Sequence, residues 1–331
     1  MNDEYPTARP IARVAREDAG NDDETELPNV PWVDVHNHAH TLSWGDREKY
    51  ALSGCESMVT MAAGYHWTPY RPVEPADVRY LWDDALARLG GINDAHPFDA
   101  SLGIGIHTGA RVDRVDELLS VMPSYLELEE VDAVGEVGLT PSQHGSRWPL
   151  EEQKAVTRAQ FQLAREYDLP AITHTPSDPD DVDVPFRERR RMPGYEKESS
   201  LQREPVFGSE NVKRDAIEHC LELKDEAGLA DDRLVLSHGT TEVAPFVLEN
   251  TDCYLSFTVS YPWLLGVGAR DVAAVIDEYG PERVLVETDA ANVLRGDAFA
   301  FKRTIFDLYR MGIDVETIRT VVYENPQSLL E

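Results

Sequence analysis

The chain is polar and mixed in charge up to Pro28, and then settles into short apolar runs separated by amphipathic stretches. Trp32–His36 is the first run, with Val33 and Val35 at buried strand positions. Further strand-like runs follow: Glu56–Ala62 (within a buried segment opening at Leu52), Asp99–His107, Val131–Leu139, Leu169–Thr175, Arg233–His238, Cys253–Val259 and Arg283–Asp289. Helical spacing lies between them. Asp77–Leu89 carries Val78, Leu81, Trp82, Ala85, Leu86 and Leu89 on one face and is predicted to stop at Gly90-Gly91. Val112–Met122, Pro149–Tyr167 and Val212–Ala227 also read as helices, and Asp297–Leu330 as two closing helices.

Apolar strands alternating with helices predict a parallel sheet covered by helices. Eight such units fit an α/β fold of the closed (β/α)8 TIM-barrel type, whose active site lies at the C-terminal strand ends. An open doubly wound sheet is the alternative, but no Gly-x-Gly-x-x-Gly follows the first strand. The barrel is expected over residues 29–331. A disordered acidic tail, 1–28, precedes it, and a charged, irregular insertion interrupts it at about 177–207.

The chemistry gathers at the predicted strand ends. His36 and His38 are two apart, so on a strand they project from one face. Glu136 sits inside an apolar, Gly-flanked strand, where a carboxylate is expensive to bury unless paired or metal-bound. His174, His238 and Asp289 close three later strands, and His107 closes the third. Four imidazoles (His36, His38, His174, His238) with two carboxylates (Glu136, Asp289) form a nitrogen–oxygen donor set suited to Zn, Mn or Mg. Two divalent metal ions per chain, about 3.5–4 Å apart, would acidify a bridging water and polarise a P=O or C=O bond. Asp289 would then need only hydrogen-bond reach of that water. Asp34 is expected to be a structural or supporting carboxylate. Substrate contacts are expected from His40 and from His66, which lies in an aromatic group with Tyr65, Trp67, Tyr70 and Arg71. Arg187, Arg189, Arg190 and Arg191 form a basic run that reads either as a solvated face or as a lid gripping phosphate.

Composition restricts the partners. Asp and Glu outnumber Lys and Arg by 61 to 31, giving a net charge of -30. Such a surface repels itself, and molar salt would screen that repulsion to about 3 Å, so a salt-rich, halophilic cytoplasm is expected. The same charge disfavours tight electrostatic binding of nucleic acid. Cys55, Cys220 and Cys253 form no disulfide or thiolate-metal pattern. No apolar run approaches the roughly 20 residues of a membrane span, and Met1–Pro28 lacks an apolar signal region. A soluble cytoplasmic protein with no membrane partner is the expectation.

The ordered set His36-x-His38, Gly135-Glu136-Val137-Gly138-Leu139, His174, His238 and Glu287-Thr288-Asp289 resembles the TatD family of metal-dependent hydrolases, within the amidohydrolase superfamily. The resemblance covers about Trp32–Leu330 and includes the closing Asn325-Pro326-Gln327-Ser328-Leu329. It implies that His36 and His38 bind the more buried metal, that Glu136 bridges two metals, and that His174 and His238 hold the second. Asp289 would bind metal and orient or deprotonate the attacking water. Thr140 departs from the family's Asp, the Arg-rich insertion is an addition, and His40, His66 and His144 are not family ligands. Three functions follow. The first is hydrolysis of a phosphoester, DNA among the candidates. The second is a metal-dependent amidohydrolase or lactonase acting on a small molecule. The third is a non-catalytic metal-binding protein.

Overall fold

A computed structural model describes residues 27–62, 72–109, 111–140, 148–176, 211–260, 266–291 and 297–331. Residues 1–26 of the predicted tail, the His66 group, His144 and the insertion with Arg187 and Arg190 lie outside the described residues. The eight strands are β1 (Trp32–Asn37), β2 (Cys55–Met61), β3 (Asp99–Ile104), β4 (Val131–Gly138), β5 (Ala171–His174), β6 (Leu234–Leu236), β7 (Tyr254–Thr258) and β8 (Val284–Glu287). Each pairs in parallel with the next in sequence. Just past the strand ends, β8 returns to β1. The Asp289 N–H donates to His36 O at 2.8 Å, and the His38 N–H donates to Ala290 O at 2.9 Å. The fold is the predicted (β/α)8 TIM barrel.

The barrel interior is filled by Val33, Val35, Val59, Met61, Ala133, Ile172, Val235 and Leu285. These are mostly branched aliphatic residues, which suit a strand and interlock in layers. A larger apolar layer packs the outer strand faces against the helices; Trp32, for example, stacks on Phe301 at 4.3 Å. Among the described residues the helices are α1 (Trp44–Leu52), α2 (Pro75–Ala95), α3 (Val115–Val121), α4 (Pro123–Leu126), α5 (Leu150–Glu166), α6 (Val212–Ala227), α7 (Ala244–Leu248), α8 (Ala269–Tyr279) and α9 (Ala300–Arg310). The last stretch is helical as α10 (Val315–Arg319), a π-helical turn (Thr320–Glu324) and α11 (Asn325–Leu330). Helix α1 shows no apolar stripe because Tyr50 is its one buried residue. None of the described helices is long and apolar enough to cross a membrane.

One helix corrects its expected end. α2 runs through Gly90-Gly91 to Ala95. Both glycines face solvent, whereas Leu89 and Ile92 on either side are buried. Asn93 then exchanges two 2.9 Å hydrogen bonds with the Ala100 backbone at the start of β3. Each helical Gly costs about 1 kcal/mol relative to Ala, and burial of Ile92 outweighs that.

Two irregularities re-aim the strands toward the mouth. In β4, Ala133 faces the interior and Val134 the helix layer, but Val137 also faces the helix layer. The β4–β5 register shifts between Gly135 and Val137, and this turns Glu136 inward, where strict alternation would point it at the helices. The β1–β2 register shifts between Asp34 and Asn37. Val35 therefore packs in the interior while the next side chain, His36, also points inward at Ser237 and Glu287.

Candidate metal centre

Six predicted site residues meet at the C-terminal mouth. Glu136, 2 % exposed, lies at the middle. Its Oε1 is 3.6 Å from His36 Nε2, 3.8 Å from His238 Nε2 and 2.8 Å from His174 Nδ1. Its Oε2 is 3.7 Å from His38 Nε2. Asp289 Oδ1 is 3.2 Å from His38 Nε2 and 3.8 Å from His36 Nε2. Two of these residues have left-handed backbones, His238 (φ 59°) and Asp289 (φ 48°). That conformation costs a non-glycine residue about 1–3 kcal/mol and directs both side chains into the mouth just beyond β6 and β8. Close approach of the strands needs glycine. A Cβ on Gly105 would lie 2.8 Å from Gly135 C and 3.0 Å from Glu136 O, and one on Gly138 (φ 124°) would lie 2.6 Å from His174 O.

The hydrogen bonds assign most imidazole tautomers. A carbonyl only accepts, so His38 Nδ1–H donates to Met61 O at 3.0 Å and its Nε2 keeps a lone pair. His36 Nδ1 meets Ser237 Oγ at 2.9 Å, and His238 Nδ1 meets Thr258 Oγ1 at 2.7 Å. His107 is different: its Nδ1 accepts the Gly109 N–H at 2.8 Å. The ring proton therefore sits on Nε2, which points at Glu136 Oε1 from 3.8 Å. His107 presents an N–H donor to the centre and no lone pair.

Electrostatics follow from burial against neighbours. Burial would raise the Glu136 pKa, but His107, His174, His238 and His36 hold it well below the usual carboxylate range. Burial would lower His36, yet Glu287 and Glu136 hold it well above the ordinary imidazole range. His38 is raised against burial by Asp289. Burial pushes His107 down to about 3.

The donor set fits a divalent cation. His36 Nε2, His38 Nε2 and Glu136 Oε2 are buried with no hydrogen-bond partner, and the three residues' ligand atoms lie within 4.8 Å of one another. Leaving three such atoms unsatisfied costs several kcal/mol, and a single cation satisfies all three. Two other groupings are equally compact, His107–Glu136–His174 and His36–His238–Glu287. Neither reads as a full ligand set: His107 Nε2 carries a proton, and both oxygens of Glu287 already accept hydrogen bonds.

His40 stands apart from this cluster. Its Nδ1 pairs with Thr60 Oγ1 at 3.2 Å, and burial depresses its pKa to about 3. Asp34 lies behind the centre, clasping the β8–β1 seam through Thr288. Two residues were not singled out from the sequence for roles here, His107 and Glu287. The signal for Glu287 was present, because an acid within the apolar run of β8 is as expensive to bury as Glu136.

An eight-fold barrel with an imidazole–carboxylate cluster at its C-terminal mouth is an arrangement that could hold a divalent cation. The profile of the family described as TatD related DNase matches residues 33–194. An uncharacterised metal-dependent hydrolase of Methanocaldococcus jannaschii, MJ0761, is 25% identical over 293 residues, covering 88% of this chain and 97% of its own. A TatD-like protein from Archaeoglobus fulgidus superposes with a TM-score of 0.58 at 22% identity, covering 90% of this chain and 99% of the other. The phosphotriesterase homology protein from Escherichia coli, solved with phosphate in its active site, superposes at 0.59 with 14% identity, covering 92% and 99%. Over these spans the chain is similar to TatD-related proteins and to an uncharacterised metal-dependent hydrolase.

Proposed function

We propose that the protein hydrolyses a phosphoester, and that small or single-stranded substrates suit it better than a long duplex. The observation that carries the hydrolytic reading is the trio of buried, unpartnered ligand atoms on His36, His38 and Glu136 at the barrel mouth. The match to a family described as a DNase supports phosphoester chemistry. The net charge of -30 argues against an extended duplex footprint.

In this reading His36, His38 and Glu136 would hold an inner cation, and His238 and His174 would hold a second, His174 through its other ring nitrogen because its Nδ1–H donates to Glu136 Oε1 at 2.8 Å. Zn, Mn or Mg would suit these donors. A bound divalent cation supplies an acidified water and polarises the oxygen under attack. Asp289, with Oδ1 facing His38 and His36, takes the proton of the attacking water. Glu136 stays ionised because the imidazoles around it favour its charged form. His107 Nε2–H stands ready to donate to an oxygen that gains charge as the bond breaks.

The test is metal content by elemental analysis of the full chain, paired with a substrate panel of bis-p-nitrophenyl phosphate, single-stranded DNA, amides and lactones. Bound metal with turnover of the phosphodiester is expected. Turnover of amides or lactones alone would replace this reading with a carbon-centre hydrolase, and no metal after reconstitution would overturn both.

A further inference from the structure

We infer that Glu287 is a positioning residue that sets the tautomers of His36 and His238 together, so that one buried carboxylate prepares a ligand on each side of Glu136. The inference rests on the metal-centre reading above and adds the device that readies its ligands. Glu287 is fully buried at the end of β8. Its Oε2 accepts the Ser237 hydroxyl at 2.8 Å, and its Oε1 accepts the Thr258 hydroxyl at 2.7 Å and the His238 N–H at 3.1 Å. A hydroxyl has one proton to give. Ser237 and Thr258 give theirs to Glu287, so each can only accept from the imidazole on its other side. His36 Nδ1–H then donates to Ser237 at 2.9 Å, and His238 Nδ1–H donates to Thr258 at 2.7 Å. In its neutral form each ring then has its Nε2 lone pair facing Glu136, at 3.6 and 3.8 Å. A carboxylate has no proton to send back, so neither relay can reverse. The arrangement also explains why Glu287 is not itself a ligand.

The relay makes an asymmetric prediction. In Glu287→Gln, the amide oxygen belongs where two donors converge, beside Thr258 and the His238 N–H. The amide nitrogen then faces Ser237 and donates to it. The Ser237 proton, no longer accepted by Glu287, is then free to turn toward His36 Nδ1, which favours the His36 tautomer with its proton on Nε2 and weakens that ligand. His238 keeps its tautomer.

The test titrates Zn2+ into the full chain by calorimetry and reads the imidazole nitrogens of the zinc-loaded protein by 15N NMR. In the wild type, His36 and His238 each show a zinc-shifted Nε2 and a protonated Nδ1. Glu287→Gln is expected to lose the zinc-shifted Nε2 of His36 alone and to weaken one zinc site about 10–100-fold. Thr258→Val is expected to disturb His238 and spare His36, and it carries the test if Glu287→Gln does not fold. Both rings unchanged in either folded variant, with zinc binding as in the wild type, would overturn the inference. A wild-type chain that binds no zinc would overturn the metal-centre reading and this inference with it, whereas zinc binding without phosphoester turnover would overturn the substrate assignment alone.

Discussion

Replacing Asp34 by Asn is expected to flatten one component of the pH dependence of stability. Burial raises the Asp34 carboxyl from its ordinary 3.8 to about 7, although the Thr288 hydroxyl (2.5 Å) and N–H (3.1 Å) pull it back down. The neutral form is therefore favoured in the fold and the ionised form in the unfolded chain. Its stabilising contribution is complete below about pH 4 and is lost as the pH rises through about 7. At about 1.36 kcal/mol per pH unit, the span from 3.8 to about 7 sets an upper figure of about 4 kcal/mol. Asn keeps the hydrogen-bond pattern: its oxygen accepts the Thr288 N–H, and its amide donates to the Thr288 hydroxyl, as a protonated Asp34 does. Other buried acids, Glu136 and Glu287, are shifted the opposite way, so the total profile does not isolate Asp34. The difference between variant and wild type does. Urea unfolding of the metal-free full chain at pH 5, 6, 7 and 8 should show Asp34→Asn gaining on the wild type as pH rises, by about 2–4 kcal/mol at pH 8. A difference that stays constant across that range would refute the reasoning.

Five further outcomes follow from the site geometry and the net charge. Asp289→Asn should abolish turnover while leaving the fold and most zinc binding intact; near-normal turnover would remove Asp289 from the mechanism. His107→Gln should keep the wild-type metal content and lose about 100-fold in kcat, whereas loss of zinc would make His107 a ligand. Chelation should lower the Tm and added zinc should restore it. Zinc affinity should fall with pH, because protons compete for His36, and its raised pKa starts that competition above 6.5. Stability should increase from low to molar KCl as the charge of -30 is screened; a flat profile would count against the halophilic reading.

The barrel was legible because its strands are short apolar runs, six of which carry an imidazole or carboxylate near the same end. Helix α6 was read to its bounds, Val212–Ala227, where the apolar stripe and the following Gly228 agree. Helix α2 ran past its expected end because two solvent-facing glycines cost less than the packing of Ile92 returns. Helix α1 escaped notice because burying Tyr50 alone leaves no periodic stripe. The inward turn of Glu136 contradicts strict alternation, and only the β4–β5 register shift explains it.

From the sequence alone come the donor set and its place: imidazoles and carboxylates at strand ends, legible because strand period and the cost of burying charge are local properties. What each nitrogen offers was decided by the tertiary structure. His36 takes its tautomer from Ser237, 201 residues away, and Ser237 takes its direction from Glu287, 50 further on. His107 shares a residue type with the four candidate ligands, yet a single backbone N–H from Gly109 makes it a donor. Those partners meet only when the barrel closes, so no reading of spacing could assign the protons.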